Sequence, residues 1–448
     1  MPPFVALIIC TVFVFFLLRL DHKQSPNVSL ALWIPTIWIL IIASKPLATW
    51  FGTGGSSMEE GSPLDRMFFI VIGCIGLIIL AKRHLKIGLT IRENLWLIAC
   101  LIYMLVSISW SELQFVSLKR WSRELIAVIM VLTVASEKDP RQSLCSIFRR
   151  IIYILIPYSL LLIKYYPHFG IDYAWDGDQM WRGVSLHKNS LCRLCLFAIF
   201  FLIWTFIRRQ KENIIAWYQK YVEVFLLVLA IWLILGPYHS LTNSATSIAS
   251  LAVGLITFVG LIWMKKIGRL IGLNTLMLMT VVIIVYGIIT PFIGRLSVVD
   301  VSGMLGRNQT LTGRTEIWAI LVPYALERPI LGYGYGGFWT DAIRQLTSSH
   351  AHNGYLDIIL NLGFVGLFLF SMVFISCCRK AHEAMASDFD WGIFSFCYLT
   401  ILMVHNIAES SATSFDSFNP AVLLLLILTT AASVTDKVIL NGNQNLSV

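Results

Sequence analysis

The sequence predicts an all-α, polytopic integral membrane protein: a helical bundle of 12–13 spans with one large extracytoplasmic loop holding short interfacial helices. Three observations carry this. The 448 residues are 57% hydrophobic and only 13% charged, where a soluble domain is nearer a quarter charged. The mean hydropathy is +0.76, so the chain lacks the polar groups to cover itself in water. Apolar runs of crossing length recur throughout, and a helix needs roughly 20 apolar residues to cross a bilayer.

The candidate spans are 4–20, 29–48, 67–81, 94–110, 123–136, 150–166, 190–207, 222–236, 245–263, 270–290, 355–377, 391–408 and 418–434. The pair at 123–136 and 150–166 is the less regular one, which leaves twelve as the other count. The run Met1 to Leu18 reads as a first span rather than a leader. Its charges, Arg19 and Lys23, follow the apolar stretch, and no small-residue cleavage site is present.

Loop charge gives the bundle a direction, because Lys and Arg favour the cytoplasmic side. With the N-terminus outside, twenty of the 34 basic residues fall in cytoplasmic segments. Arg208–Lys220 and Lys265–Arg269 are strongly basic, while 237–244 and 409–417 carry neither Lys nor Arg. The C-terminus is then inside, and segments 167–189 and 291–354 face outward. Arg149 and Arg150 fall in a cytoplasmic loop on this reading. Lys119, Arg120 and Arg123 stand against the bias in a short outer loop, which suggests an anionic ligand there. The chain divides into an N-terminal bundle over 1–290, an extracytoplasmic loop over 291–354, and C-terminal spans with a short tail over 355–448.

The nine cysteines show no disulfide or zinc pattern. Cys192 and Cys195 form a CxxC inside an apolar run, where free Cys behaves as a small buried hydrophobe.

Chemistry concentrates in the large loop and its exit. From Thr315 to Leu326 the apolar residues fall at helical spacing, as in a short helix lying on the membrane. Arg314 sits in its first turn, where the macrodipole disfavours a cation. That cost points to another use, such as bidentate pairing with phosphate; a solvated surface arginine is the plainer alternative. The glycines of Gly332-Tyr-Gly-Tyr-Gly-Gly337 lack a P-loop ending and suit a tight turn with close backbone approach. His350 and His352, two apart, are read as facing opposite sides of an extended segment, which disfavours a shared metal. A histidine titrates near neutral pH, so His352 suits a general base for a sugar hydroxyl, or is a plain interfacial residue. The loop Asp172–Asn189 mixes carboxylates with Trp175 and Trp181, a surface for sugar rings or an aromatic belt. Arg182, His187, Lys188 and Asn189 follow. Glu409 is an acid at a span end, where charge tends to be paired or functional.

These residues resemble the O-antigen ligase family, and within it the ExoQ-type exopolysaccharide polymerases. The pieces are Gly-Arg-x-x-x-Trp at 313–318, Pro-x-x-Gly-x-Gly at 329–334 and Ala-His-Asn-x-Tyr-Leu at 351–356, in that order before a late span. Ala31-Leu-Trp-Ile-Pro35, Trp110-Ser111, Leu118-Lys-Arg-Trp121 and His187-Lys-Asn189 fit the ExoQ-type pattern.

The resemblance implies a GT-C-like, inverting, metal-independent glycosyltransferase with no cofactor, acting on an undecaprenyl-diphosphate-linked oligosaccharide at the outer leaflet of a bacterial inner membrane. It implies His352 as the group deprotonating the acceptor. Arg314, and by weaker match Arg182 or Arg120, would hold the diphosphate. His187, Lys188, Asn189, Asn353 and Glu409 complete the expected substrate contacts. Membrane lipid, a chain-length regulator and a flippase are the expected partners, and nucleic acid is not.

Many ligases carry a Ser-Arg turn where this chain reads Thr242-Asn243-Ser244-Ala245-Thr246. The departure favours a polymerase over a ligase acting on lipid A core. A transporter of lipid-linked glycans is the alternative from another class. Transporters often show inverted repeats and mid-depth ionisable residues, whereas this sequence has no detectable repeat and its ionisable groups gather at one face.

Overall fold

A computed structural model describes residues 1–53, 61–83, 92–173, 177–212, 217–237, 244–269, 271–293, 313–347 and 350–428. Arg295, Arg307, Lys86, Trp175, Thr242, Asn243 and the tail from 429 lie outside these residues, and of Lys211 only the backbone is described. The main helices are α1 (Pro3–Gln24), α2 (Trp33–Ala43), α3 (Pro63–Ala81), α4 (Leu95–Ser107), α5 (Gln114–Ala135), α6 (Pro140–Tyr165), α7 (Lys188–Glu212), α8 (Trp217–Leu235), α9 (Ala245–Lys266), α10 (Leu273–Ile293), α11 (Arg314–Glu327), α12 (Asp341–Leu346), α13 (Gly354–Ser387) and α14 (Phe389–Ala408). A last one, α15, runs Phe418–Leu428. Among the described residues nine helices are long and apolar enough to cross a membrane, and three shorter apolar ones accompany them. Each of the thirteen runs read from hydropathy overlaps a helix. The all-α, polytopic class is therefore the fold observed. Among the described residues the strands are one short antiparallel hairpin, β1 (Ile171–Tyr173) and β2 (Gln179–Trp181), with Ile171 opposite Trp181.

Local signals start these helices where they start. Ser62, Asp139, Asn353 and Asp388 each cap a helix by accepting an amide hydrogen bond from inside its first turn. Proline occupies the first turn of α1, α3 and α6, where its missing N–H costs nothing.

The chain forms two compact units, each discontinuous in sequence: residues 1–54 with 136–252, and 55–135 with 253–448. In the first unit α6 packs on α1, α2 and α8, and α7 packs on α8. Here Arg149 and Arg150 depart from expectation. They lie inside α6, which begins ten residues before the expected span, and their side chains are only 6% and 8% exposed. Both pair with buried Asp21 of α1 at 2.8 Å, and Ser146 adds a hydroxyl to the same carboxylate. A carboxylate 128 residues away makes burial of these cations tolerable, and no local pattern reveals it.

In the second unit α13 packs on α4, α10, α11 and α14. Gly363, at φ +64°, interrupts α13. There the backbone of Pro329–Leu331 lies against the helix: Phe364 N–H donates to Pro329 O at 2.7 Å and Tyr333 N–H to Leu360 O at 2.9 Å. A Cβ on Gly363 would stand 2.2 Å from Ile330 O, and one on Gly332 would stand 2.6 Å from Gly363 N. The glycine run thus provides the tight turn and close backbone approach read from its composition.

Candidate active site

The site grows from how three segments of the second unit are pinned together. Gly313, at φ +78°, turns the chain into α11, so that Arg314 opens the helix and Trp318 lies one turn on. Trp318 is buried and its indole N–H donates to Ala351 O at 2.8 Å. The Ala351 amide in turn donates to the Asp357 carboxylate at 3.2 Å. Asp357, buried in the first turn of α13, also accepts from the Trp339 indole at 3.0 Å and from the Ser410 hydroxyl. The segment 351–353 is therefore held on both sides, and His352 is fixed between them.

His352 adopts φ +51°, the one positive φ outside glycine among the described residues. Left-handed backbone at a residue with a Cβ is strained and clusters at functional sites. The expectation that His350 and His352 face opposite ways is overturned: side chains two apart on an extended segment share a face, and here the rings meet edge to face, with centroids 4.1 Å apart.

Glu409, just beyond the end of α14, joins the remaining parts. One oxygen accepts from the Arg314 guanidinium at 2.7 Å and the other lies 3.5 Å from His352 Nδ1. Burial by itself would raise the Glu409 carboxyl. The close approach of the His352 imidazole and the charges of Arg314, His352 and His405 outweigh burial and hold it well below the usual carboxylate range. This acid was expected as a substrate contact, but its carboxylate is taken up by a cation and an imidazole. The carboxylate also offsets the cost of a cation at the α11 N-terminus.

Nitrogens of His350 and His352 and an oxygen of Glu409 lie within 4.8 Å of one another, a spacing a metal ion could use. The Arg314 guanidinium occupies that same carboxylate, and a fixed cation there favours an anion over a second cation.

Asn353 lies beneath this turn. It is fully buried, and its side-chain oxygen accepts from Leu356 N–H at 2.8 Å. Its amide donates to Gly287 O at 3.0 Å and Ile407 O at 2.9 Å. The residue caps α13 and ties α10 and α14 to the His352 turn. Gly354 must be glycine for a related reason: a Cβ would fall 1.9 Å from the Asn406 side-chain oxygen. That oxygen accepts from the amides of Ser411 and Ala412, fixing the segment after Glu409.

Arg120 of α5 donates to Gly336 O rather than standing open to solvent. It lines a cavity of about 200 Å³ with Tyr335, Trp339, His350, Asp357 and Ser410. Buried Glu124, one turn further along α5, accepts from the Tyr335 hydroxyl and from Phe415 N–H. Arg123 pairs with Asp416 at 2.9 Å.

The other expected residues belong to the first unit. Arg182 donates to Phe169 O at 3.1 Å and His168 O at 2.9 Å, with Asp172 3.7 Å away. These bonds brace the hairpin rather than leave the guanidinium open. Lys45, read as an outer-loop charge, is buried and donates to Gly183 O at 2.9 Å beneath the same turn. The Trp181 ring packs against Trp232, with centroids 4.5 Å apart. His187 is exposed, and its carbonyl accepts from Ser190 N–H at the start of α7. Lys188 and Asn189 form the first turn of that helix. The structure thus brings together Arg314, His352 and Glu409, gives Arg120 and Asn353 bracing bonds, and leaves Arg182, His187, Lys188 and Asn189 as a group of the first unit.

Asp357 and Glu124 were not singled out from sequence. The available signal was an acid inside an apolar run, the pattern already applied to Glu409.

Two comparisons bear on this geometry. Residues 225–371 match the family model described as O-Antigen ligase. The chain is also 24% identical over 304 residues to the exopolysaccharide production protein ExoQ of Rhizobium meliloti (strain 1021), a match covering 63% of this chain. The match spans 64% of the length of that relative. Both agree with the resemblance carried by the three loop motifs.

Proposed function

We propose that this protein is a membrane glycosyltransferase that polymerises undecaprenyl-diphosphate-linked repeat units into an exopolysaccharide or O-antigen chain. It works at the outer face of a bacterial inner membrane. The observation that carries the reading is the single carboxylate of Glu409 shared between Arg314 and His352. With Nδ1 of His352 turned to Glu409, Nε2 is the nitrogen left for an acceptor hydroxyl, as when a carboxylate orients a catalytic imidazole.

The reaction is one displacement. His352 takes the proton of the acceptor hydroxyl, and that oxygen forms a bond to the anomeric carbon of the donor sugar. The bond from that carbon to the diphosphate oxygen breaks with its electron pair, and the configuration inverts. Negative charge gathers on the departing lipid diphosphate, and Arg314 is placed to meet it. Fixed charge aimed at a developing anion is usually the largest source of rate. Glu409 offsets the imidazolium that forms.

The matched family's description, O-Antigen ligase, favours a second reading, in which finished polymer moves to a lipid acceptor. The likeness to an exopolysaccharide production protein, and the absence of arginine at 242–246, put polymerisation first. His352→Ala should abolish long polymer while the protein remains in the membrane at its normal level. Polymer of normal length in that variant would refute the assignment of His352 as the base.

A further inference from the structure

The cavity lined by Arg120, Trp339, His350, Asp357, Ser410 and Thr413 is not used by the chemistry above. Three features say what fits it. Its lining combines hydroxyls, a side-chain amide, a carboxylate and a guanidinium with the aromatic rings of Tyr335 and Trp339, the mix of polar groups and flat apolar surface that suits a sugar ring. At about 200 Å³ it is smaller than the ~300–1,000 Å³ pockets that bury drug-sized ligands, which limits it to one ring. It also lies beside the base, since His350 lines it and the His350 ring meets that of His352.

The leaving group belongs elsewhere. Arg314, the cation paired with Glu409, does not line this cavity. The carboxylate of Asp357 does, and it offsets the one guanidinium in the lining, so the cavity presents no excess positive charge to a diphosphate. Asp357 is already held by Ala351, Trp339 and Ser410, so the wall is formed before any ligand arrives, which lowers the ordering cost of binding.

We propose that this cavity is the acceptor subsite, holding one pyranose ring at the growing end of the glycan with its attacking hydroxyl turned towards His352. The inference rests on the glycosyltransferase reading and names where its acceptor binds. Thr413 and Ser414 are half-buried lining residues outside the Arg314–Glu409–His352 group, so each can be enlarged to fill the space.

The test uses the full chain in lipid nanodiscs, with undecaprenyl-diphosphate-linked repeat unit as donor and a soluble oligosaccharide of the same repeat as acceptor. Thr413→Trp and, separately, Ser414→Trp should raise the acceptor KM at least tenfold while the donor Kd stays within twofold. An unchanged donor Kd also shows that the variant is folded. Acceptor KM at the wild-type value in both tryptophan variants would overturn the subsite. So would a parallel loss of donor affinity, which would make the cavity a donor site. A wild-type protein that forms no glycosidic bond would instead sink the glycosyltransferase reading beneath it.

Discussion

Replacing Glu409 by glutamine keeps the shape of the residue and removes its charge. The consequence for His352 can be worked from distance. When the imidazole takes the acceptor proton it becomes a cation 3.5 Å from Glu409. At an effective dielectric of ~20 that attraction is about 5 kcal/mol. The imidazole is 24% exposed, so screening reduces the useful part to roughly 2–3 kcal/mol. At 1.36 kcal/mol per tenfold, kcat should fall by about 30- to 150-fold. Arg314 loses its partner in the same variant and becomes fully available to phosphate, so affinity for the lipid diphosphate should hold or tighten. Steady-state elongation gives kcat, and binding of undecaprenyl diphosphate to the purified protein gives the second constant. A variant with normal kcat and weakened donor binding would refute the bridging role and make Glu409 a substrate ligand.

The other predictions follow from single contacts. The Glu409 carboxyl is held below its ordinary value, so its contribution to stability is complete above the unfolded pKa near ~4.3 and is lost as pH falls through the folded value; Glu409→Gln should flatten the acid limb of a stability–pH profile and leave the neutral region unsloped. Asp21→Asn leaves Arg149 and Arg150 buried without their carboxylate and should cost about 3–5 kcal/mol, read as a lowered unfolding midpoint in detergent. Gly363→Ala places a Cβ 2.2 Å from Ile330 O at a positive φ; it should cost at least ~1–3 kcal/mol and lower activity by displacing the 329–337 turn, which limited proteolysis would report.

The parts that sequence made legible are those whose reason is local. Apolar runs gave the helices, and Asn353 and Asp388 sit where caps belong. Glycines at 332–337 marked a close backbone approach before its partner, Gly363, was known. The three loop motifs are legible for a further reason: Trp318 of the first bonds Ala351 of the third, so separated words describe one junction. What stayed hidden depends on distant pairing. Glu409 meets Arg314 across 95 residues, and Arg149 meets Asp21 across 128. Without the partner, one charge reads as a substrate contact and the other as a loop. The two histidines are a different case: two-residue spacing on an extended segment puts side chains on one face, so their meeting follows from local alternation, whereas the positive φ of His352 has no local signal.

The central claim is that this chain by itself forms glycosidic bonds from a lipid-linked donor, with His352 as base. Purified protein in nanodiscs, given undecaprenyl-diphosphate-linked repeat unit alone, tests it. The account predicts a ladder of lipid-linked polymer with one undecaprenyl diphosphate released per bond formed, and no ladder from His352→Ala. Donor left unconsumed by the wild-type protein, or an equal ladder from the variant, would contradict it.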